Sequence, residues 1–254
     1  MKTQILLCSI LIGLLFGACN DSKTNAGPSG SLEVTFKARY GTRPLVMYQK
    51  YPYYKGLPMK IQSFSFFMNN FRWTGKGSVS KPENEVFLLD FSATNVDSIA
   101  ADKGITFKFD GLPVGANTLS FDVGVPKSVN AKQPKDFDAK NKLSDGSYYW
   151  ESWKSFIFSK LEGRVDTAGK GQYVNSFSFH TGIDESFRTI ALPGTTTIKE
   201  NETTRMTIEV DSKILFGSAV PPIDVVKKSE SHTLANRDLM LSIMDNYKLA
   251  FKIK

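Results

Sequence analysis

The stretch ITFKFDGLPVGANTLSFDVGV, residues 105–125, decides the fold class of this chain. From Ile105 to Phe109, and again from Leu119 to Val125, apolar residues alternate with polar ones, which is the period-2 pattern of half-buried strands. The Gly-Leu-Pro-Val-Gly between them, at 111–115, predicts a turn. Short strands separated by Gly and Pro are typical of β-sandwiches and barrels.

The same pattern continues on both sides of this stretch. Leu32–Tyr40 alternates clearly, and Ile61–Trp73 is long, aromatic and poor in charge, which favours a strand buried on both faces or bent by a bulge at Asn69-Asn70. Shorter apolar runs predict further strands at 86–90, 177–179, 189–192 and 206–210. We therefore predict an all-β protein folded as an antiparallel β-sandwich.

The last part of the chain differs in character. Thr233–Asn246 has few β-branched residues and places apolar residues at helical spacing. We predict a short C-terminal helix there, followed by a closing strand at Leu249–Ile253. No internal repeat or interdomain linker is evident in the sequence, so we predict one domain.

The beginning of the chain has the pattern of an export signal. Lys2 is followed by the apolar run Ile5–Phe16, which is too short to span a membrane comfortably, and then by Gly17-Ala18. The run LFGAC resembles a bacterial lipobox, in which the cysteine, here Cys19, is acylated and becomes the mature N-terminus. The predicted segments are a lipoprotein signal peptide over 1–18, a flexible tether over 19–31 and the sandwich domain over 32–254.

These features predict an exported protein that is lipid-anchored to the bacterial outer membrane or cell envelope, facing either the periplasm or the surface. Loss of Cys8 with the signal and acylation of Cys19 leave no thiol for a disulfide, a metal site or a nucleophile. The formal net charge is +7, but lysines scattered among strands usually mark a solvated surface. We expect no nucleic-acid partner.

The sequence lacks the motifs of several common enzyme classes. It contains no G-x-S-x-G, no H-E-x-x-H and no G-x-x-x-x-G-K-[ST] phosphate-binding loop. Only His180 and His232 are present to activate a nucleophile. We therefore expect a binding or structural protein, not an enzyme.

A long loop over 126–146 carries several oxygen donors. Asp136, Asp138 and Asp145 provide carboxylates of the kind that calcium prefers. The spacing departs from an EF-hand loop, because Lys140 and Asn141 occupy positions that such a loop gives to a ligand and to glycine. The sequence leaves both a calcium site and a solvated acidic loop open.

The segment from Ser147 to Gly182 is rich in aromatic residues. Its YYWESW block contains Tyr149, Trp150 and Trp153, and His180 follows one predicted hairpin later. Such aromatics often serve as core anchors. They also allow an aromatic-lined carbohydrate-binding site built on Trp153 and Tyr149, with Glu162 in the same cleft.

The two histidines form the other candidate site. Phe177 and Phe179 should point to the opposite face from His180, near the end of their strand, and the terminal helix can bring His232 to the same end of the domain. Copper suits imidazole ligands, whereas structural zinc usually needs four protein ligands. Ordinary, non-ligating histidines remain the alternative at this point.

Motifs along nearly the whole chain resemble the MbnP-like family of exported proteins, which includes many lipoproteins. The most specific are the Trp150-x-x-Trp153 block, then Lys-Leu-Glu-Gly at 160–163, then Phe-His-Thr-Gly at 179–182, and finally His232. The resemblance implies a β-sandwich that binds copper through two imidazoles and an oxidised tryptophan, which a haem peroxidase partner produces. His180 and His232 match the family's histidines, and Trp150 is the nearer match to its tryptophan, although the family pattern is W-x-W. A non-catalytic surface or periplasmic lipoprotein remains the alternative.

Overall fold

The structure is a computed structural model, and it describes residues 27–80, 85–217 and 223–254. The predicted signal peptide and Cys19 lie outside these residues. Within them, no helix is both long and apolar enough to cross a membrane.

The strands in the described residues are β1 (Ser29–Tyr40), β2 (Arg43–Pro44), β3 (Lys50–Pro52), β4 (Pro58–Thr74), β5 (Val79–Ser80), β6 (Phe87–Asp90), β7 (Ile105–Pro113), β8 (Gly115–Val123), β9 (Tyr149–Trp150), β10 (Ser155–Val165), β11 (Asn175–Gly182), β12 (Arg188–Ala191), β13 (Thr196–Ile198), β14 (Thr203–Asp211) and β15 (Phe251–Ile253). The helices are α1 (Phe91–Thr94), α2 (Ser98–Lys103), α3 (Lys127–Asn130) and α4 (Arg237–Ala250), accompanied by short 3₁₀ turns.

These strands form two sheets, as a sandwich requires. One has the order β15-β14-β1-β2, with β7 also pairing with β1; the other has the order β11-β10-β4-β8-β12. Nearly all pairings are antiparallel, but β1 and β14 run parallel. The predicted antiparallel sandwich with a short C-terminal helix is confirmed.

Aromatic side chains join the two sheets. Phe36 of the first sheet meets Phe121 of the second edge to face, with ring centres 5.9 Å apart. Phe251 likewise meets Phe121 at 5.1 Å and Phe66 at 5.8 Å. Edge-to-face pairs of this kind add to the free energy gained by burying the rings, so the core lies between the sheets.

Strand β4 bends where the sequence predicts a bulge. Its pairing with β8 shifts register between Asn69 and Arg72, and Asn70 adopts a left-handed backbone with φ 51°. Asparagine tolerates that conformation better than most residues. The amide of the buried Asn69 donates to the Gly124 carbonyl at 2.8 Å, which fixes the bend.

Several predicted boundaries are wrong by a few residues. Strand β1 begins at Ser29, so the end of the predicted tether belongs to the first sheet, where Ser29 pairs with Pro113. Helix α4 begins at Arg237 and not at Thr233, because a 3₁₀ turn occupies Leu234–Asn236. The helix buries Met244 and Tyr247, and Tyr247 packs against Phe66 of the core.

Candidate functional site

The two histidines and Trp150 lie together. The ring centres of His180 and His232 are 5.5 Å apart. The Trp150 ring lies 6.3 Å from His180 and 6.2 Å from His232. The fold therefore brings the three predicted residues into one cluster, and we call these three side chains the His-Trp cluster.

Strand β11 presents His180 on the outer face of its sheet. Phe177 and Phe179 are buried on the inner face, while Ser178 and His180 are only partly buried, as the alternation predicts. His180 Nε2 lies 2.5 Å from Glu162 Oε1 on the neighbouring strand β10 and 3.1 Å from Ser178 Oγ. The two contacts at Nε2 therefore orient the imidazole ring, and Nδ1 is the ring nitrogen that they do not use.

The contact with His180 changes the pKa of the Glu162 carboxyl group. The hydrogen bond from His180 lowers the pKa of Glu162, and the charges of His180 and Lys160 act in the same direction, against a smaller rise from burial. The sequence predicts Glu162 in a carbohydrate cleft with Trp153. In the structure Glu162 contacts His180 and is not among the residues that line the pocket at Trp153.

Residues 229–231 place His232 beside His180 by adding an edge to strand β11. Ser178 N–H donates to the Ser229 carbonyl at 2.7 Å, and Ser231 N–H donates to the Ser178 carbonyl at 3.4 Å. Ser178 and Glu230 form a parallel bridge. The sequence predicts that the start of the terminal helix places His232; in the structure, the pairing of residues 229–231 with β11 does so.

The His232 side chain has one nitrogen facing a carboxylate and one facing the interior. Its Nε2 lies 3.5 Å from Glu230 Oε2. Its Nδ1 is buried and has no hydrogen-bond partner among the described residues. Buried polar atoms are nearly always satisfied in folded proteins, so such an atom calls for an explanation.

Trp150 ends β9, and a four-residue turn leads from it to β10, where Ser155 pairs with it. Its indole lies against Gly182, at which a Cβ atom would stand 2.7 Å from Trp150 Cζ3 and 2.7 Å from the Phe156 carbonyl oxygen. Only glycine fits there. The glycine of the Phe-His-Thr-Gly motif thus makes room for the tryptophan beside the histidines.

Trp153 and Tyr149 occupy different surroundings. Trp153 packs edge to face on Trp150 with ring centres 4.9 Å apart and lines a pocket of about 360 Å³. Tyr149 packs against Phe156 at 5.0 Å and is not part of that pocket's lining. The predicted aromatic pair does not form one site, and Trp150 is the tryptophan that contacts both imidazoles.

The imidazole rings lie within the separation that a shared metal ion allows. Two rings bound to one ion through metal–nitrogen distances of about 2.0–2.1 Å have centres at most about 6.5 Å apart, and the observed 5.5 Å lies within that limit. In residues 27–80, 85–217 and 223–254, no three His, Cys, Asp or Glu side chains are placed to hold a metal. Two imidazoles are too few for structural zinc, which usually needs four protein ligands, whereas copper accepts imidazole donors.

The calcium prediction gains no support. Asp136 Oδ2 accepts from the Gln133 N–H at 2.8 Å, and Asp145 Oδ1 accepts from the Ser147 N–H at 2.9 Å. The latter bond lowers the pKa of Asp145. These carboxylates cap turns of the loop, and the structure does not bring them together with Asp138 into a metal-binding group.

A profile of the MbnP family matches residues 29–236. No curated protein matches the chain. Among solved structures, MbnP from Methylosinus trichosporium is similar at 12% sequence identity, with a TM-score of 0.52, over 76% of this chain and 79% of that chain. At this identity the structural likeness shows a shared fold.

Proposed function

This chain belongs to the MbnP family, and on that premise we propose that it is an exported, lipid-anchored, non-catalytic protein that binds copper between His180 and His232. The observation that carries the proposal is the 5.5 Å separation of the two imidazole centres. His180 on β11 and His232 are distant in sequence, so only the folding of the chain brings the two rings together.

The nitrogen atoms proposed as ligands are the Nδ1 atoms. Glu162 engages His180 at Nε2, and Glu230 faces His232 at Nε2. Metal-binding histidines commonly direct one ring nitrogen to a carboxylate while the other binds the ion. The buried, unpartnered Nδ1 of His232 supports this assignment, because a metal ion would satisfy it.

Trp150 has a proposed role beside the ion. Its ring lies 6.3 Å from the ring centre of His180 and 6.2 Å from that of His232, so it would cover one side of the ion. By family resemblance, a haem peroxidase partner would oxidise this tryptophan. Mass spectrometry of protein isolated from its native host would locate such a modification, and unmodified Trp150 in copper-loaded protein would rule out a need for it.

The test of copper binding uses the full-length protein purified without chelator and then loaded with cuprous ion. We expect stoichiometric copper in the wild type, at least a hundredfold weaker binding in His180→Ala and in His232→Ala, and none in the double variant. Asn175→Ala, on the same strand β11, is the matched control and should bind as the wild type does. Retention of stoichiometric copper by the folded double variant would overturn the site.

The alternative, a surface or periplasmic lipoprotein with a binding or structural role only, makes a different prediction in the same experiment. Under it, the folded wild type would bind no more copper than the double variant. The comparison of these two proteins therefore decides between the two functions.

A further inference from the structure

A pocket of about 360 Å³ lies beside the His-Trp cluster and is lined by Ser152, Trp153, Ile183 and Arg237. Neither histidine is part of this lining, so the pocket is separate from the proposed copper site. Its volume falls in the range of about 300–1,000 Å³ that is usual for small-molecule sites. Trp153 connects the two places, since it packs on Trp150.

The charged residue of the lining is Arg237, and it forms an ion pair with Glu185, which lies outside the lining. Arg237 Nη2 contacts Glu185 Oε2, and the two side chains are 43% and 57% exposed, so a ligand can reach both. Asp238 lies 3.8 Å from Arg237 Nη1. One guanidinium therefore faces two carboxylates, which places several hydrogen-bond donors next to several acceptors.

Another residue of the lining, Ile183, is held in an unusual backbone conformation. Ile183 has φ 65° and ψ 149°, a region that β-branched residues rarely enter. Ser155 Oγ accepts from the Ile183 N–H at 2.8 Å, and Ser186 Oγ donates to the Ile183 carbonyl at 2.9 Å. Both serines are buried, and together they keep the strained Ile183 as a wall of the pocket.

From these groups we infer that the pocket binds a neutral saccharide. An indole ring and an aliphatic wall match the apolar C–H face of a sugar ring, and the Arg237 guanidinium of the lining, with the exposed Glu185 carboxylate bound to it, matches its hydroxyl edge. Arg237 is already paired with Glu185 and faces a second carboxylate, which disfavours an anion because the carboxylates repel it. A cation is disfavoured because the guanidinium lines the pocket, whereas neither carboxylate does. The volume suits about one or two sugar rings.

The test begins with the full-length protein in copper-free buffer on a glycan array, followed by titration of the best neutral disaccharide, monitored by tryptophan fluorescence. Its uronate and amino-sugar counterparts differ from it mainly in charge. We expect the neutral disaccharide to bind at least fivefold more tightly than either. No binding of any neutral glycan at about 10 mM, or preference for a charged counterpart, would overturn the inference.

Variants of the lining residues test whether the saccharide binds in this pocket. Trp153→Ala should weaken saccharide binding at least tenfold, and the exposed-site change Arg237→Gln at least threefold, with copper stoichiometry unchanged in both. Tyr149→Phe is the matched aromatic control and should bind as the wild type does. If folded Trp153→Ala and Arg237→Gln both bind the saccharide with unchanged affinity, the pocket is not the site. Because copper binding is measured separately, failure here leaves the copper proposal standing.

Discussion

The hydroxyl of Ser231 donates a hydrogen bond of 2.6 Å to the backbone carbonyl of His180. Ser231, which directly precedes His232, is thereby bound to the main chain of His180. Ser231 is fully buried, so water cannot replace the bond. This contact ties the residue before His232 to the main chain of His180 and so limits how far the two histidines can separate.

We predict that Ser231→Ala lowers the free energy of unfolding by about 1–3 kcal/mol, because a buried acceptor loses its partner, and weakens copper binding about tenfold. Ser212→Ala is the matched control, since the equally buried Ser212 hydroxyl donates to the Arg39 carbonyl at 2.8 Å. It should cost similar stability and leave copper binding unchanged. Urea denaturation and copper titration measure the two effects; equal copper affinity in both variants would contradict the prediction.

Gly182→Ala should displace Trp150 from the His-Trp cluster. The added Cβ would stand 2.7 Å from both Trp150 Cζ3 and the Phe156 carbonyl oxygen, and overpacking of this kind costs about 1–3 kcal/mol. We expect a lower melting temperature, altered tryptophan fluorescence and weaker copper binding. Gly146→Ala, where a Cβ would meet no atom within 4 Å, should change none of these. A fluorescence spectrum identical to that of the wild type would show that Trp150 does not depend on Gly182.

In the metal-free protein, the contribution of Glu162 to the stability of the folded state should depend on pH and be lost in acid. Its pKa is held below the usual 4.5, chiefly by the hydrogen bond from His180. A carboxyl with a lowered pKa in the folded state stabilises that state above the unfolded pKa, and the contribution is lost as pH falls through the lowered value.

Melting temperatures of the wild type and Glu162→Gln should therefore differ most above about pH 4.5 and converge below it. The difference should be modest, because the Glu162 side chain is 36% exposed. Glu33→Gln changes the net charge equally and removes one partner of the ion pair with Arg205, whose side chain is 78% exposed, so it serves as the control. A constant difference between wild type and Glu162→Gln across this pH range would refute the prediction.

Cys19→Ser should release the protein from membranes, because the predicted acyl chain would have no acceptor. Membrane fractions of cells expressing wild type and Cys19→Ser, examined by immunoblot, measure this. Cys8→Ser, inside the predicted signal peptide, is the matched control and should remain in the membrane fraction. Persistence of Cys19→Ser in that fraction would contradict the lipoprotein proposal.

Local patterns were sufficient to predict the sandwich and the bend in β4. The alternation at 105–109 and 119–125 corresponds to β7 and β8, and the Asn69-Asn70 bulge lies where two adjacent asparagines interrupt an apolar run. The outward orientation of His180 follows from the two-residue period of its strand. These features depend only on neighbouring residues.

Long-range features could not be predicted in this way. The edge pairing that places His232 depends on main-chain hydrogen bonds from Ser178 to residues 229 and 231, which carry no side-chain signal. Asp136 and Asp145 resemble calcium ligands in composition, but only their N–H partners reveal them as turn caps. Glu162 lies near His180 because of the register in which β10 pairs with β11, and no local pattern predicts that register.

The parallel pairing of β1 with β14 has a consequence for how the chain acquires its structure. The first strand is flanked by β7 on one side and by β14, residues 203–211, on the other, so its sheet stays incomplete until most of the polypeptide has been synthesised. Closing so large a loop costs chain entropy, and domains dominated by such non-local contacts fold slowly. A nascent chain that remains unfolded this long stays competent for threading through a secretion channel, which agrees with the proposed export.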